Sequence, residues 1–107
     1  MKFMNLTPHM INVYQPDGSV RSFAPTGDIA RVAVSRTQAE PLDGIQTYIV
    51  ETGEVTGLPA PEAGVVYIVS GYVSGKVQRR DVVAPGELVR DNDGRPIGCL
   101  GLTRAVR

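Results

Sequence analysis

Apolar residues in this chain come in short runs rich in Val, Ile and Tyr, separated by clusters of Gly, Pro, Asp and Thr. That spacing is the signature of a mainly β domain. Residues Phe3–Leu6 and Met10–Tyr14 read as one strand interrupted near Pro8, whose nitrogen has no proton to donate. Gln15-Pro16-Asp17-Gly18 is a turn, because Pro fixes φ and Gly tolerates positive φ, and Val20–Phe23 returns as the partner strand. Ala24-Pro25-Thr26-Gly27 is a second turn. Ile29–Arg36 is short and β-branched and reads as a strand. Thr37–Gly44, polar and containing Pro41, reads as a loop before the strand Ile45–Val50, with Glu54-Val55 continuing toward the ordered connection Gly57–Gly64 (GLPAPEAG).

The run Val65–Val69 (VVYIV) is the most apolar in the chain, which predicts a central strand buried on both faces. Ser70–Gln78 is the one candidate helix, with strand continuation as its rival. Ser70 is a suitable N-cap, Tyr72, Val73 and Val77 share a face at helical spacing, and Gly71 and Gly75 each cost about 1 kcal/mol relative to Ala. Pro85-Gly86 reads as a turn. Asp91-Asn92-Asp93-Gly94 lies between two apolar runs and predicts a hairpin joining Glu87–Arg90 to Pro96–Leu102. Pro96 suggests an edge position, and Thr103–Arg107 a frayed basic tail. The expected fold is mainly β (α+β): a small compact antiparallel or mixed sheet, or a barrel-like domain, with at most one substantial helix. With 107 residues and no repeat or linker, residues 1–107 form a single domain.

Charge and composition narrow the function. Lys+Arg and Asp+Glu are 11 each, so net charge is zero. Nucleic acid is therefore disfavoured as a partner, and self-repulsion is too weak to oppose a homo-oligomer. One cysteine (Cys99) and one histidine (His9) are too few for a zinc site and point to a reducing compartment. No apolar run is long enough for a membrane helix, and the early Asn5, Thr7, Pro8 and His9 argue against a signal peptide. Asp91, Asp93 and Glu87 lack the spacing of a calcium loop, and SGYVSGK lacks that of a phosphate loop. Nothing calls for a metal or a cofactor, and no catalytic set is recognisable.

The segments NLTPHMINV, PTGDIARV, EVTGLPAP, VVYIVS, RRDVVAPGELVRD and DGRPIGCLGL occur in that order. In them the chain resembles a family of small uncharacterised phage and prophage proteins with an N-terminal NLTPH motif, over about Asn5–Leu102. The resemblance implies phage origin and expression in the bacterial host cytoplasm. By analogy with phage proteins of similar size it suggests an anti-defence role, but it brings no established activity.

The side chains suited to ligand binding are Asn5, Thr7 and His9, which offer an amide, a hydroxyl and an imidazole, and the group Tyr72, Lys76, Arg79 and Arg80. Tyr72 and Lys76 stand at i and i+4 as a stacking ring and a cation, and a guanidinium fork suits phosphate. Arg80 is the favoured clamp, because Asp81 stands next to it and is positioned to hold it. The plain alternatives are that His9 and Thr7 serve the backbone and that the arginines form a solvated charge run. These residues suggest a binding protein that sequesters a nucleotide-type host immune signal. The alternatives are a metal-independent phosphodiesterase, with His9 as acid/base and Arg80 as clamp, and a small virion structural or assembly protein.

Overall fold

The computed structural model describes residues 1–107. Strand content is 55% and helix content 4%. The strands are β1 (Lys2–Asn5), β2 (Ile11–Tyr14), β3 (Val20–Phe23), β4 (Arg31–Leu42), β5 (Ile45–Thr56), β6 (Val65–Ile68), β7 (Val82–Arg90) and β8 (Pro96–Arg104), with a single helical turn, α1 (Gly71–Ser74). Six of them form one sheet in the order β1-β6-β7-β8-β2-β3, and β4 and β5 pair only with each other. The sheet is mixed: β1/β6, β6/β7 and β2/β8 are parallel, whereas β2/β3 and β7/β8 are antiparallel. A parallel bridge from Asn5 to Pro25 brings the two ends of the order together, so the sheet is a nearly closed barrel. Near-closure shortens the free edges of this sheet, whereas β4 and β5, paired only with each other, each keep one edge open.

The core is small. Leu6, Ala30, Tyr67, Val69, Val73 and Val82 are buried in one cluster, with Val32, Val55 and Leu58 packed against it. The expected central strand is found as β6 between β1 and β7, but full burial is confined to the end of the run: Tyr67, Ile68 and Val69 are each at most 1% exposed, whereas Val65 and Val66 are half-buried. Ser70 caps α1 as its sequence suggests, its hydroxyl accepting from the Val73 amide at 3.4 Å. The helix nevertheless ends at Ser74 instead of running on toward Gln78, which accords with glycine's low helix propensity at both ends of the turn. Val73 turns into the core while Tyr72 stays 68% exposed.

Five local expectations are corrected. Phe3–Leu6 and Met10–Tyr14 are not one strand: β1 pairs with β6, and β2 pairs with β3 and β8. Thr37–Gly44 is not a loop. β4 runs through it to Leu42, and a two-residue turn, Asp43-Gly44, with φ of 50° and 77°, sends the chain back as β5. Both residues having positive φ is the demand of a tight hairpin turn, and Asp-Gly meets it. Pro85-Gly86 is strand, not turn. Pro85 opposes Leu102 on β8, while on its other side the pairing of β7 with β6 involves only Val82 and Val83, so the missing proline proton costs the ladder nothing. Gly86 is required because a Cβ there would collide with the Leu100 carbonyl. Pro96 opens β8, which is an interior strand, and stands before the first β2 partner, Cys99. Finally, Thr103 and Arg104 are part of β8, opposite Ala84 and Val83, instead of fraying.

The β4–β5 pair departs from the body as an arm. Its feet, Val32 and Val55, pack on the core and oppose each other. From Ala33 to Glu54 only Ala39 and Thr47 are even half-buried. The radius of gyration is 16.4 Å, against about 13 Å for a compact chain of this length.

Two outcomes follow. Ile68→Asp places an unpaired charge at a fully buried site, a cost of several kcal/mol against a total stability of about 5–15 kcal/mol, and should give insoluble protein. Replacing Ala33–Glu54 by Asn-Gly, which joins Val32 to Val55 by a tight turn, should leave a folded body with stability changed by about 1 kcal/mol or less, measured by thermal unfolding.

Candidate functional site

The NLTPH segment is a hydrogen-bonded knot. The Asn5 side-chain amide donates to the His9 carbonyl at 2.7 Å and to the Phe23 carbonyl at 2.9 Å. Its oxygen accepts from the Thr7 amide at 2.9 Å and from the Thr7 hydroxyl at 2.6 Å. Carbonyls only accept and a backbone N–H only donates, so these partners fix which end of the amide is which. The Asn5 backbone carbonyl accepts from the Thr26 amide at 3.1 Å. Asn5 thus holds the reversal from β1 to β2 and also the seam between β1 and the end of β3. Asn5 and Thr7 are 1% and 7% exposed, and their polar groups are used internally.

Only His9 of the seven sequence-predicted binding residues borders the main groove. This groove, about 530 Å³, lies between β2, β7 and β8. Met10, Ile11, Leu88 and Ile97 give it an apolar wall, while His9 and Asn12 supply its polar edge. No ionised carboxylate, lysine or arginine lines it. Asn12 is itself engaged, donating to the Ile97 carbonyl at 3.2 Å and accepting from the Ser22 hydroxyl at 2.7 Å. Cys99 at the groove floor is buried.

The other four predicted residues lie elsewhere. Tyr72 borders a second, more open cleft with Pro8, Ile29 and Val34. Lys76 is exposed beyond α1. Asp81 holds Arg79 and not Arg80: Arg79 donates through Nε at 3.0 Å and through Nη2 at 2.6 Å to the two carboxylate oxygens. Its Nη1 donates to the Pro59 carbonyl at 2.9 Å, and the guanidinium lies 5.9 Å from the Tyr67 ring centre. Arg79 is therefore a structural pin between the 57–64 connection and the core. Its hydrogen bonds hold the Asp81 carboxyl below the usual range, and the same bonds raise the Arg79 pKa. Arg80 donates instead to the Arg107 main-chain oxygen at 2.7 Å.

The groove itself escaped the sequence reading. Its walls are residues of three strands that meet only through the β7-β8-β2 order, and no local motif announces that order. No buried side-chain polar atom lacks a partner, and no three His, Cys, Asp or Glu side chains gather as a metal-binding group. No protein-family model, curated protein or solved structure matches the chain.

Asn5→Asp keeps the acceptor but cannot donate to two carbonyls. At about 1–3 kcal/mol for each unsatisfied group, and about 4–8 °C per kcal/mol, the melting temperature should fall by about 10 °C or more. His9→Ala, which keeps the backbone carbonyl and removes an exposed ring, should change it little. The Asp81 carboxyl, depressed in the folded state, contributes stability that is present above the unfolded carboxyl value of about 3.9 and lost as pH falls through the lowered one. Acid titration of Asp81→Asn should show lower stability at neutral pH and a flatter decline below about pH 4.

Proposed function

We propose that the protein is a non-catalytic assembly module, a small β barrel that joins other protein surfaces through its arm and its groove. The observation that carries this reading is the exposure of the arm. Val34, Tyr48, Ile49 and Val50 are each about half exposed, and Leu42 and Ile45 at the tip are 68% and 67% exposed. A two-stranded hairpin alone in water is marginally stable, and contiguous exposed apolar surface marks interaction sites. The resemblance to phage proteins makes a virion or its assembly intermediate the natural setting. Mass spectrometry of purified particles should find the chain in fixed stoichiometry, with arm amides protected from hydrogen exchange. A chain absent from every particle and complex, with its arm exchanging freely, contradicts the reading.

A second reading, sequestration of a nucleotide-type immune signal, draws on the groove. Its volume falls within the range of about 300–1,000 Å³ typical of ligand pockets. A base would lie against Met10, Leu88 and Ile97 with His9 as a polar contact. The groove offers no arginine for the phosphate, so affinity would rest on the base. Calorimetry with cyclic nucleotides separates the cases. A dissociation constant near or below about 1 μM with intact ligand recovered supports sequestration, turnover supports a phosphodiesterase, and silence removes both.

A further inference from the structure

We propose that the β4–β5 arm of one copy docks on the body of a second copy, with the tip residues Leu42 and Ile45 seated in the groove between β2, β7 and β8. The inference deepens the assembly reading, on which it rests, by naming the partner. Three observations carry it.

The first is charge. Residues 33–54 hold one arginine, Arg36, against Glu40, Asp43, Glu51 and Glu54, a net charge of −3. The whole chain is neutral, so the remaining residues carry +3. Two arms lying side by side would bring like charges together. An arm approaching another copy's body meets an opposite net charge, which favours encounter over arm pairing. The groove itself holds no carboxylate, lysine or arginine, so the attraction acts at long range.

The second is surface chemistry. Cross-strand register places Val34 with Thr52, Arg36 with Val50 and Gln38 with Tyr48 on one face of the arm, and Thr37 with Ile49 on the other. The Arg36 guanidinium lies 5.5 Å from the Tyr48 ring centre, and on that face Val34, Val50 and Tyr48 alternate with Thr52, Arg36 and Gln38. At the tip, Leu42 and Ile45 oppose each other across the Asp43-Gly44 turn. On the body, the groove presents Met10, Leu88 and Ile97, which are 53%, 53% and 37% exposed, and no carboxylate, lysine or arginine side chain. An apolar tip and an apolar cleft each lose unfavourable contact with water when they meet.

The third is exposure. An arm of 22 residues, Ala33–Glu54, is almost all solvent-exposed, so its tip and either face are free to be buried against a second copy. Arm and groove are different patches. Docking is therefore either a reciprocal exchange in a two-fold dimer or a head-to-tail contact closing a ring.

The test uses full-length protein and complementation. Wild type should self-associate in sedimentation velocity and native mass spectrometry, with association slowing as salt rises. Leu42→Glu/Ile45→Glu should weaken self-association by about 30-fold or more, the loss expected of an interface anchor. Leu88→Glu should do the same from the groove side, and Ile97→Gln serves as a second groove variant should Leu88→Glu unfold by circular dichroism. Mixing the arm variant, which retains an intact groove, with the groove variant, which retains an intact arm, should restore a heterologous complex. Folded variants that stay apart on mixing overturn the proposal. Wild-type self-association unaffected by the tip substitutions also overturns it, while leaving assembly through another surface standing. A wild type that remains monomeric overturns the second copy as partner, and the particle stoichiometry then judges the assembly reading separately.

Discussion

One buried amide holds this barrel shut. The Asn5 side chain spends both its protons and its oxygen on backbone and hydroxyl groups from three places in the chain: the Thr7 reversal, the His9 carbonyl and the Phe23 carbonyl at the end of β3. A carboxylate there cannot donate, and an apolar residue of the same size satisfies none of these groups. Around the seam, Phe3 and Phe23 pack with ring centres 5.1 Å apart, and the Arg21 guanidinium lies over both rings. Closure therefore joins a polar lock to an aromatic clasp. The lock also determines where His9 goes: its backbone belongs to the knot, and its ring is left at the mouth of the groove.

The rest of the molecule divides around a core of modest size. Fourteen of 107 residues are buried, so few side chains stabilise the body and the arm contributes through its feet alone. Leu58 and the Arg79–Asp81 pair fasten the 57–64 connection to that core. This concentration of stability leaves the arm and the groove free for contacts outside the chain. Leu42 and Ile45 at the arm tip, 68% and 67% exposed, stand outside that core.

The sequence revealed what local chemistry determines. Val65–Val69 declares a buried strand by its run of β-branched residues and tyrosine, Gln15–Gly18 and Asp91–Gly94 declare turns, and Ser70 declares a cap. It hid what depends on distant partners. β4 lacks the alternation of a half-buried strand because most of it has no buried face to encode, and its true signal was the Asp43-Gly44 dipeptide between Leu42 and Ile45. Pro85-Gly86 looked like a turn because its neighbours in space, an unpaired flank toward β6 and a closely approaching β8 backbone, leave no trace nearby in the chain. NLTPH looked like a binding cluster because buried, hydrogen-bonded polar groups and ligand-binding polar groups have the same composition. His9 is the one candidate residue that borders the groove, whereas the pairing of Asp81 with Arg79 depended on side-chain direction, which the sequence does not carry.

The most direct measurement is hydrogen exchange at the Asn5 side chain, followed by NMR on protein labelled with nitrogen-15. Both Nδ2 protons are held, one on the His9 carbonyl and one on the Phe23 carbonyl, within a residue that is 1% exposed. Opening the seam should then require opening the barrel. The account predicts that both protons exchange as slowly as the backbone amides of Tyr67 and Val69, with the same dependence on denaturant. Exchange of either proton at the rate of a free amide, while Tyr67 and Val69 stay protected, would contradict it.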